Sequence, residues 1–200
     1  MRRMRQFQPT AWPPTGAGHV PRGMTIIELM VVLIVLALLI SLVVAPSIGS
    51  MVARHRVQGV QTELLGDLQL ARSEQARRNG DAVPVAVSFS SNADMTCYTI
   101  HTGTSPCDCT LAAGTACSAL PPAQEIKTMQ FARSVGVTVA ATSASGPKIV
   151  FSPPQGLVSP TDMVIDVQST TSGQLRTSIS GTGVPSVCSP DGSVAGVRTC

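Results

Sequence analysis

The six cysteines carry the most legible chemistry in this 200-residue chain. Cys97, Cys107, Cys109, Cys117, Cys188 and Cys200 all lie beyond the longest apolar block. An even set of thiols in a small, loop-rich exported domain forms disulfides in an oxidising compartment. Cys107 and Cys109 are too close in sequence to pair comfortably with each other. Cys188 and Cys200 stand apart and are expected to pair, closing the tail. If Cys97 to Cys117 form a local set, two arrangements remain open: Cys97–Cys107 with Cys109–Cys117, or Cys97–Cys109 with Cys107–Cys117. Zinc is the competing chemistry for thiolates. The spacing Cys-x9-Cys-x-Cys-x7-Cys lacks a Cys-x2-4-Cys knuckle, so neither a metal nor another cofactor is assigned.

No set of side chains reads as catalytic. His19, His55 and His101 are scattered, and His101 reads as a lone exposed histidine beside the cysteine loop. There is no Gly-x-Ser-x-Gly elbow, phosphate loop or paired-histidine metal motif. Asp162 and Asp166 alternate with Met163 and Ile165, as the solvent face of a strand would. The expectation is a protein that is not an enzyme, since a site rather than a fold must carry such a claim.

Gly23, Met24 and Glu28 point to a different chemistry. No charged residue stands between Glu28 and Arg54, and the run from Leu29 to Ala45 is apolar apart from Ser41. A bilayer-spanning helix needs roughly 20 such residues. A cleaved secretory signal has a shorter apolar region and a small-residue cleavage site; here the candidate site Val43-Val44-Ala45 is followed by Pro46. At the bilayer centre a carboxylate costs about 2.5–3.5 kcal/mol, so Glu28 needs a cationic partner or a place near the headgroups. A cut after Gly23 would make Met24 the new N-terminus, four residues before that carboxylate.

The segment Arg22-Gly23-Met24-Thr25-Ile26-Ile27-Glu28-Leu29, followed by the apolar run, resembles the class III signal of type IV prepilins and type II secretion pseudopilins. The resemblance implies that a membrane prepilin peptidase cuts between Gly23 and Met24 on the cytoplasmic side and methylates the amino group of Met24. It implies that Glu28 guides subunit assembly. Methionine at position 24 departs from the phenylalanine more usual there. The chemistry agrees with these roles: glycine lets an extended backbone enter a peptidase cleft, and Glu28 can neutralise the ammonium of a neighbouring subunit inside a bundle of apolar helices.

The helical pattern continues past the apolar run. Val57, Val60, Leu64, Leu68 and Ala71 make one stripe, with Arg56, Gln58, Gln61, Glu63, Asp67, Gln69 and Arg72 between them. The helix is expected to run from Met24 to Asn79, about 84 Å at 1.5 Å per residue, with a kink at Pro46 and an end at Asn79-Gly80. Beyond Gly80 the texture changes to short β segments. These are Val83–Phe89, Met95–Ile100, Ile126–Phe131, Val135–Val139, Lys148–Phe151, Met163–Val167 and Leu175–Ile179, separated by turn residues.

The expected fold is α+β and type IV pilin-like: a long N-terminal helix, transmembrane in its first half, packed on an antiparallel sheet. Residues 1–23 form a leader, 24–53 a transmembrane or filament-core helix, 54–80 its amphipathic continuation, and 81–200 a periplasmic β-rich domain with disulfide-bearing loops. The run Arg72-Ser73-Glu74-Gln75-Ala76-Arg77-Arg78-Asn79 and the turn Phe151-Ser152-Pro153-Pro154-Gln155-Gly156 are similar to segments of the GspH/FimT branch of pseudopilins.

The charge narrows the partners. The net charge is +3, but Arg2, Arg3, Arg5 and Arg22 all precede Met24, so only 10 of the 14 basic residues face all 11 acids in the remainder. That balance gives no basic nucleic-acid surface. FimT-like minor pilins that bind DNA carry a Gly-Arg-x-Arg tail, whereas this tail has Gly181-Thr182-Gly183-Val184 and Gly196-Val197-Arg198-Thr199. DNA is therefore an alternative partner without residue support, and an uncleaved membrane-anchored periplasmic adaptor is the other alternative. The resemblance implies an inner-membrane, single-pass protein whose partners are the prepilin peptidase, other pilins or pseudopilins and an inner-membrane assembly platform. The cysteine-rich insert and tail incline the reading to a tip-type subunit of a type IV pilus over a type II secretion pseudopilus.

Overall fold

The computed structural model describes residues 23–78, 82–153, 156–171 and 173–200, side chains of residues 42–47 excepted. Among the described residues one α-helix and nine strands follow in order. They are α1 (Ile26–Arg77), β1 (Val85–Ser91), β2 (Met95–Thr102), β3 (Glu125–Ala132), β4 (Val137–Thr142), β5 (Lys148–Ser152), β6 (Leu157–Ser159), β7 (Val164–Ser169), β8 (Gln174–Ile179) and β9 (Pro185–Cys188). A short 3-10 turn, Arg133–Val135, joins β3 to β4. Helix α1 begins in one compact unit, which ends at Leu42, and continues in a second, which begins at Val43.

In the first unit the helix starts where the sequence supplies a cap. The hydroxyl of Thr25 accepts the backbone N–H of Glu28 at 3.3 Å, satisfying one of the helix's orphan donors. Glu28 stands in the first turn, where a negative charge suits the helix dipole. Ser41 returns its hydroxyl to the carbonyl of Leu38 at 2.9 Å, so its polar group is satisfied inside an apolar helix. Among the described residues no helix is long and apolar enough to cross a membrane. The expected span uses Leu42, Val43, Val44 and Ala45, whose side chains lie outside the described residues, as does that of Pro46, the expected kink.

In the second unit the expectation of one sheet is corrected to two. One sheet has the order β3-β2-β1-β5-β6 and the other β4-β7-β8-β9; every strand pairing is antiparallel. A single core joins them. It contains Val57, Leu64, Leu68 and Ala71 of α1, Val85, Val87, Tyr98, Ile100, Ile149 and Phe151 of the first sheet, and Val139, Ile165, Val167 and Leu175 of the second. Each large apolar side chain buried here contributes about 1.5–3 kcal/mol. Polar groups of the helix also reach both sheets. Gln61 donates to Thr177 at 2.6 Å, and Gln75 accepts the N–H of Val85 at 2.6 Å. The first strand opens at Val85, where Gln75 holds it; Val83 is exposed.

β1 and β2 are buried on both faces. Side chains alternate along a strand, so Tyr98 and Ile100 enter the core while Cys97, Thr99 and His101 turn the other way. The segment 103–124 lies over that second face. Gln130 of β3 donates to the carbonyls of Cys109 at 2.8 Å and Leu111 at 2.7 Å, and Lys148 of β5 reaches the carbonyl of Thr104.

Candidate functional site

Two regions carry the residues that the sequence singles out. The first is the beginning of the chain's described part. Gly23, Met24 and Thr25 are exposed and non-helical, and the helix begins at Ile26. The Gly23–Met24 bond therefore lies in open, irregular backbone, which a peptidase cleft can accept without unwinding a helix. From Ile26 to Ile40 the large apolar side chains are exposed all around, from 83% at Ile26 to 49% at Leu36. An apolar surface of that extent calls for lipid or other apolar helices as its surroundings.

The second region is the braced face of the domain. Disulfides join Cys97 to Cys109, Cys107 to Cys117 and Cys188 to Cys200. The tail pairs as the sequence suggests, and the structure selects the second of the two local arrangements. Cys97–Cys109 pins the loop to β2, and Cys107–Cys117 closes the loop on itself. Glu125, at the start of β3, holds the loop's backbone. Its two carboxylate oxygens accept the N–H of Gly114 at 2.8 Å and that of Ala116 at 2.9 Å, and the hydroxyl of Thr128 donates at 2.6 Å. Burial opposes the charge of Glu125, but these three donors together outweigh it and hold the carboxyl below the ordinary 4.5.

His101 corrects the sequence reading. It is fully buried rather than exposed, because it sits on the loop-covered face of β2. Its ring bridges Ser88 Oγ at 2.8 Å and the carbonyl of Thr102 at 3.1 Å. Burial, the leading cause, and the charge of Lys148 keep its pKa below 6.5 against the opposing pull of the Thr102 carbonyl.

A charged cluster on α1 was not singled out from sequence. Asp67, nearly buried, accepts the hydroxyl of Tyr98 at 2.7 Å and the ammonium of Lys127 at 2.7 Å, with Glu63 3.5 Å from the same ammonium. Its signal was faint: Asp67 occupies the edge of the amphipathic stripe, one position before Leu68. Asp166 is paired across the strands with Arg176, 2.8 Å away. Asp162 precedes β7 and accepts the hydroxyl of Ser143 and the N–H of Ala144 at 3.0 Å each. The two segments that carry the resemblance beyond the N-terminus touch each other. A Cβ on Gly156 would stand 3.4 Å from Cγ of Arg72, an ordinary contact distance, so it is the positive φ of +64° that calls for glycine there.

A family model described as type II transport protein GspH matches residues 61–183. That stretch runs from the amphipathic part of α1 to the turn before β9 and includes the braced loop, Arg72 and Gly156. No curated protein and no solved structure matches the chain.

Proposed function

We propose, from the fact that this chain belongs to the GspH family of type II transport proteins, that it is a non-enzymatic pseudopilin of a type II secretion system. It is made with a leader, residues 1–23, which the prepilin peptidase removes between Gly23 and Met24, and the amino group of Met24 is methylated. The helix of residues 24–53 then anchors the protein once through the inner membrane and later packs in the filament core. The segment 54–80 carries the amphipathic continuation of the helix, which ends at Arg77, and residues 81–200 form the periplasmic domain. Its partners are other pseudopilins and the inner-membrane assembly platform, and its place is at the initiating end or tip of the filament.

The observation that carries this reading is the helix from Ile26 to Ile40, apolar and exposed on every side, directly behind an exposed Gly23–Met24 bond. The family's description, type II transport, weighs toward the secretion filament where the sequence alone inclines to a pilus. The test is intact mass and N-terminal sequencing of the protein extracted from membranes, with and without the prepilin peptidase. A methylated N-terminus at Met24 that depends on the peptidase is expected. A leader retained in cells with active peptidase would overturn the reading and leave an anchored periplasmic adaptor.

A further inference from the structure

Arg77 and Arg78 pair with Glu74, and Arg176 pairs with Asp166. Arg54, Arg56 and Arg133 are exposed and, among the described residues, have no carboxylate partner. Arg56 and Arg133 meet at the 3-10 turn that Arg133 opens. Arg56 donates from Nη1 to the carbonyl of Val135 at 2.9 Å, and a guanidinium carries five N–H donors, more than that carbonyl takes up. Arg54 lies along the turn before β8, where a Cβ on Gly173 would stand 3.3 Å from its Cγ. The acids of the neighbouring segments are engaged otherwise. Glu63 faces Lys127, Asp191 accepts the hydroxyls of Ser189 and Ser193, and Asp94 offers Arg133 its backbone carbonyl.

The same part of α1 and the two turns enclose a cleft of about 400 Å³, whose polar side chains are those of Arg56, Ser134, Ser169, Thr170 and Thr171. No acid lines it. Apolar side chains stand exposed beside these cations: Ile48, Met51 and Val52 on α1, and Val135 on the turn. Cations and hydroxyls among exposed apolar groups suit the boundary between headgroups and acyl chains. There the apolar side chains enter the lipid and the guanidiniums stay at the phosphates. The position along α1 agrees. Arg54 is the first charge after Glu28, and the 25 residues between them are uncharged. As helix they measure about 38 Å, against about 30 Å of hydrocarbon and about 40–45 Å with the headgroups. Ala53 is the first buried residue among those described in α1.

We propose that the face formed by Arg54, Arg56, Arg133 and the turns 134–136 and 169–171 binds the phosphate headgroups of anionic phospholipids where the domain emerges from the bilayer. The inference rests on the membrane anchor proposed above and names the partner at its outer end. Arginine suits the task, because its planar fork matches phosphate oxygens two at a time. The contact holds the domain against the bilayer before assembly and is released when the subunit leaves the membrane for a filament. Each arginine raises the ratio of docked to free domain about fivefold, the factor that a cation near an anionic lipid surface supplies.

The test places the full chain in vesicles of phosphatidylcholine, alone or mixed with phosphatidylglycerol. Flotation reports the anchor, and hydrogen exchange of residues 133–136 and 169–171 reports the headgroup contact. Flotation with both lipids is expected. The two turns should exchange at least about fivefold more slowly on the anionic vesicles at low salt, and high salt should remove the difference. Arg54→Gln, Arg56→Gln and Arg133→Gln together should remove it too, while the chain still floats. Arg72→Gln, which deletes a charge elsewhere on α1, should keep it. The salt dependence is read on the unaltered chain, so it decides the matter should the triple variant unfold. A chain that fails to float would overturn the anchor and this inference with it. A chain that floats but exchanges alike on both lipids, or shows a difference indifferent to salt, would overturn the inference alone. So would a difference that Arg72→Gln also removes, or protection that follows the density of protein in the vesicle, which would give the face to a second copy.

Discussion

The hydroxyl of Tyr98 donates to Oδ2 of Asp67 at 2.7 Å, joining the middle of β2 to the amphipathic part of α1. The tyrosine is fully buried. Burial first, and then the adjacent carboxylate, raise the pKa of the phenol far above its ordinary value, so it remains a donor throughout the working range. Hydrogen bonds to charged groups contribute about 1.5–3 kcal/mol, so Tyr98→Phe should cost about that much, because Asp67 keeps only Lys127. Asp67→Ala should cost more, since it removes the acceptor from both Tyr98 and Lys127. Urea unfolding of the full chain in detergent, followed by circular dichroism, checks the order. Equal losses for the two variants would mean that Lys127 draws nothing from Asp67.

Glu125 gives the braced loop a dependence on acid. Its carboxyl lies below 4.5 in the folded protein. A depressed carboxylate pKa stabilises above the unfolded value and loses that stabilisation as pH falls through the folded one. The hold on Gly114 and Ala116 should therefore be complete above about pH 5 and fade below the ordinary glutamate value. Hydrogen exchange of those two amides at pH 6 and pH 3, corrected for intrinsic rates, should show the loss of protection. Glu125→Gln should expose them at both pH values and flatten the dependence.

The Cys188–Cys200 bond, with a sequence separation of 12, closes the tail around Val194, which is buried in the main core. Closing a loop of that size is worth about 2–3 kcal/mol in the chain-entropy account. Replacing both cysteines by serine should lower stability by that amount. Proteolysis should then cut first between residues 189 and 199, while the loop held by Cys97–Cys109 stays protected. Early cutting in the 103–124 loop instead would show that the tail supports the rest of the domain.

What could be read from the sequence follows from which interactions are local. The stripe Val57, Val60, Leu64, Leu68, Ala71 was legible because helical periodicity alone turns those residues to one side; the structure buries all of them but Val60, which is partly buried against the same core. Spacing alone reduced the local cysteine pairing to two arrangements. It could not choose between them, because the choice depends on Gln130 and Glu125 laying the loop over β2, contacts made across 9 to 21 residues. The same non-local covering hid His101. An uncovered strand face would expose it, and nothing near position 101 announces that a loop will close over it. The division into two sheets was also invisible, since alternation marks strands but not their partners.

Glu28 supplies the prediction closest to function. It stands in the first turn of α1 with its backbone N–H on the Thr25 hydroxyl, and Met24 precedes it by four residues in non-helical backbone. Under the proposed cut after Gly23, a carboxylate and an ammonium would share the head of an apolar helix. In a bundle of such helices each charge alone would be costly, and pairing with a neighbour's opposite charge offsets that cost in one axial register. Glu28→Gln keeps the size, the cap and the peptidase's approach to Gly23, but removes the negative charge. It should therefore be cut normally, as intact mass would show, while its recovery with sheared filaments or cross-linked neighbours falls at least about tenfold, the factor that 1.4 kcal/mol sets. Normal incorporation of a fully processed Glu28→Gln protein would show that the carboxylate serves only the helix start, and the register would then have to come from the apolar side chains themselves.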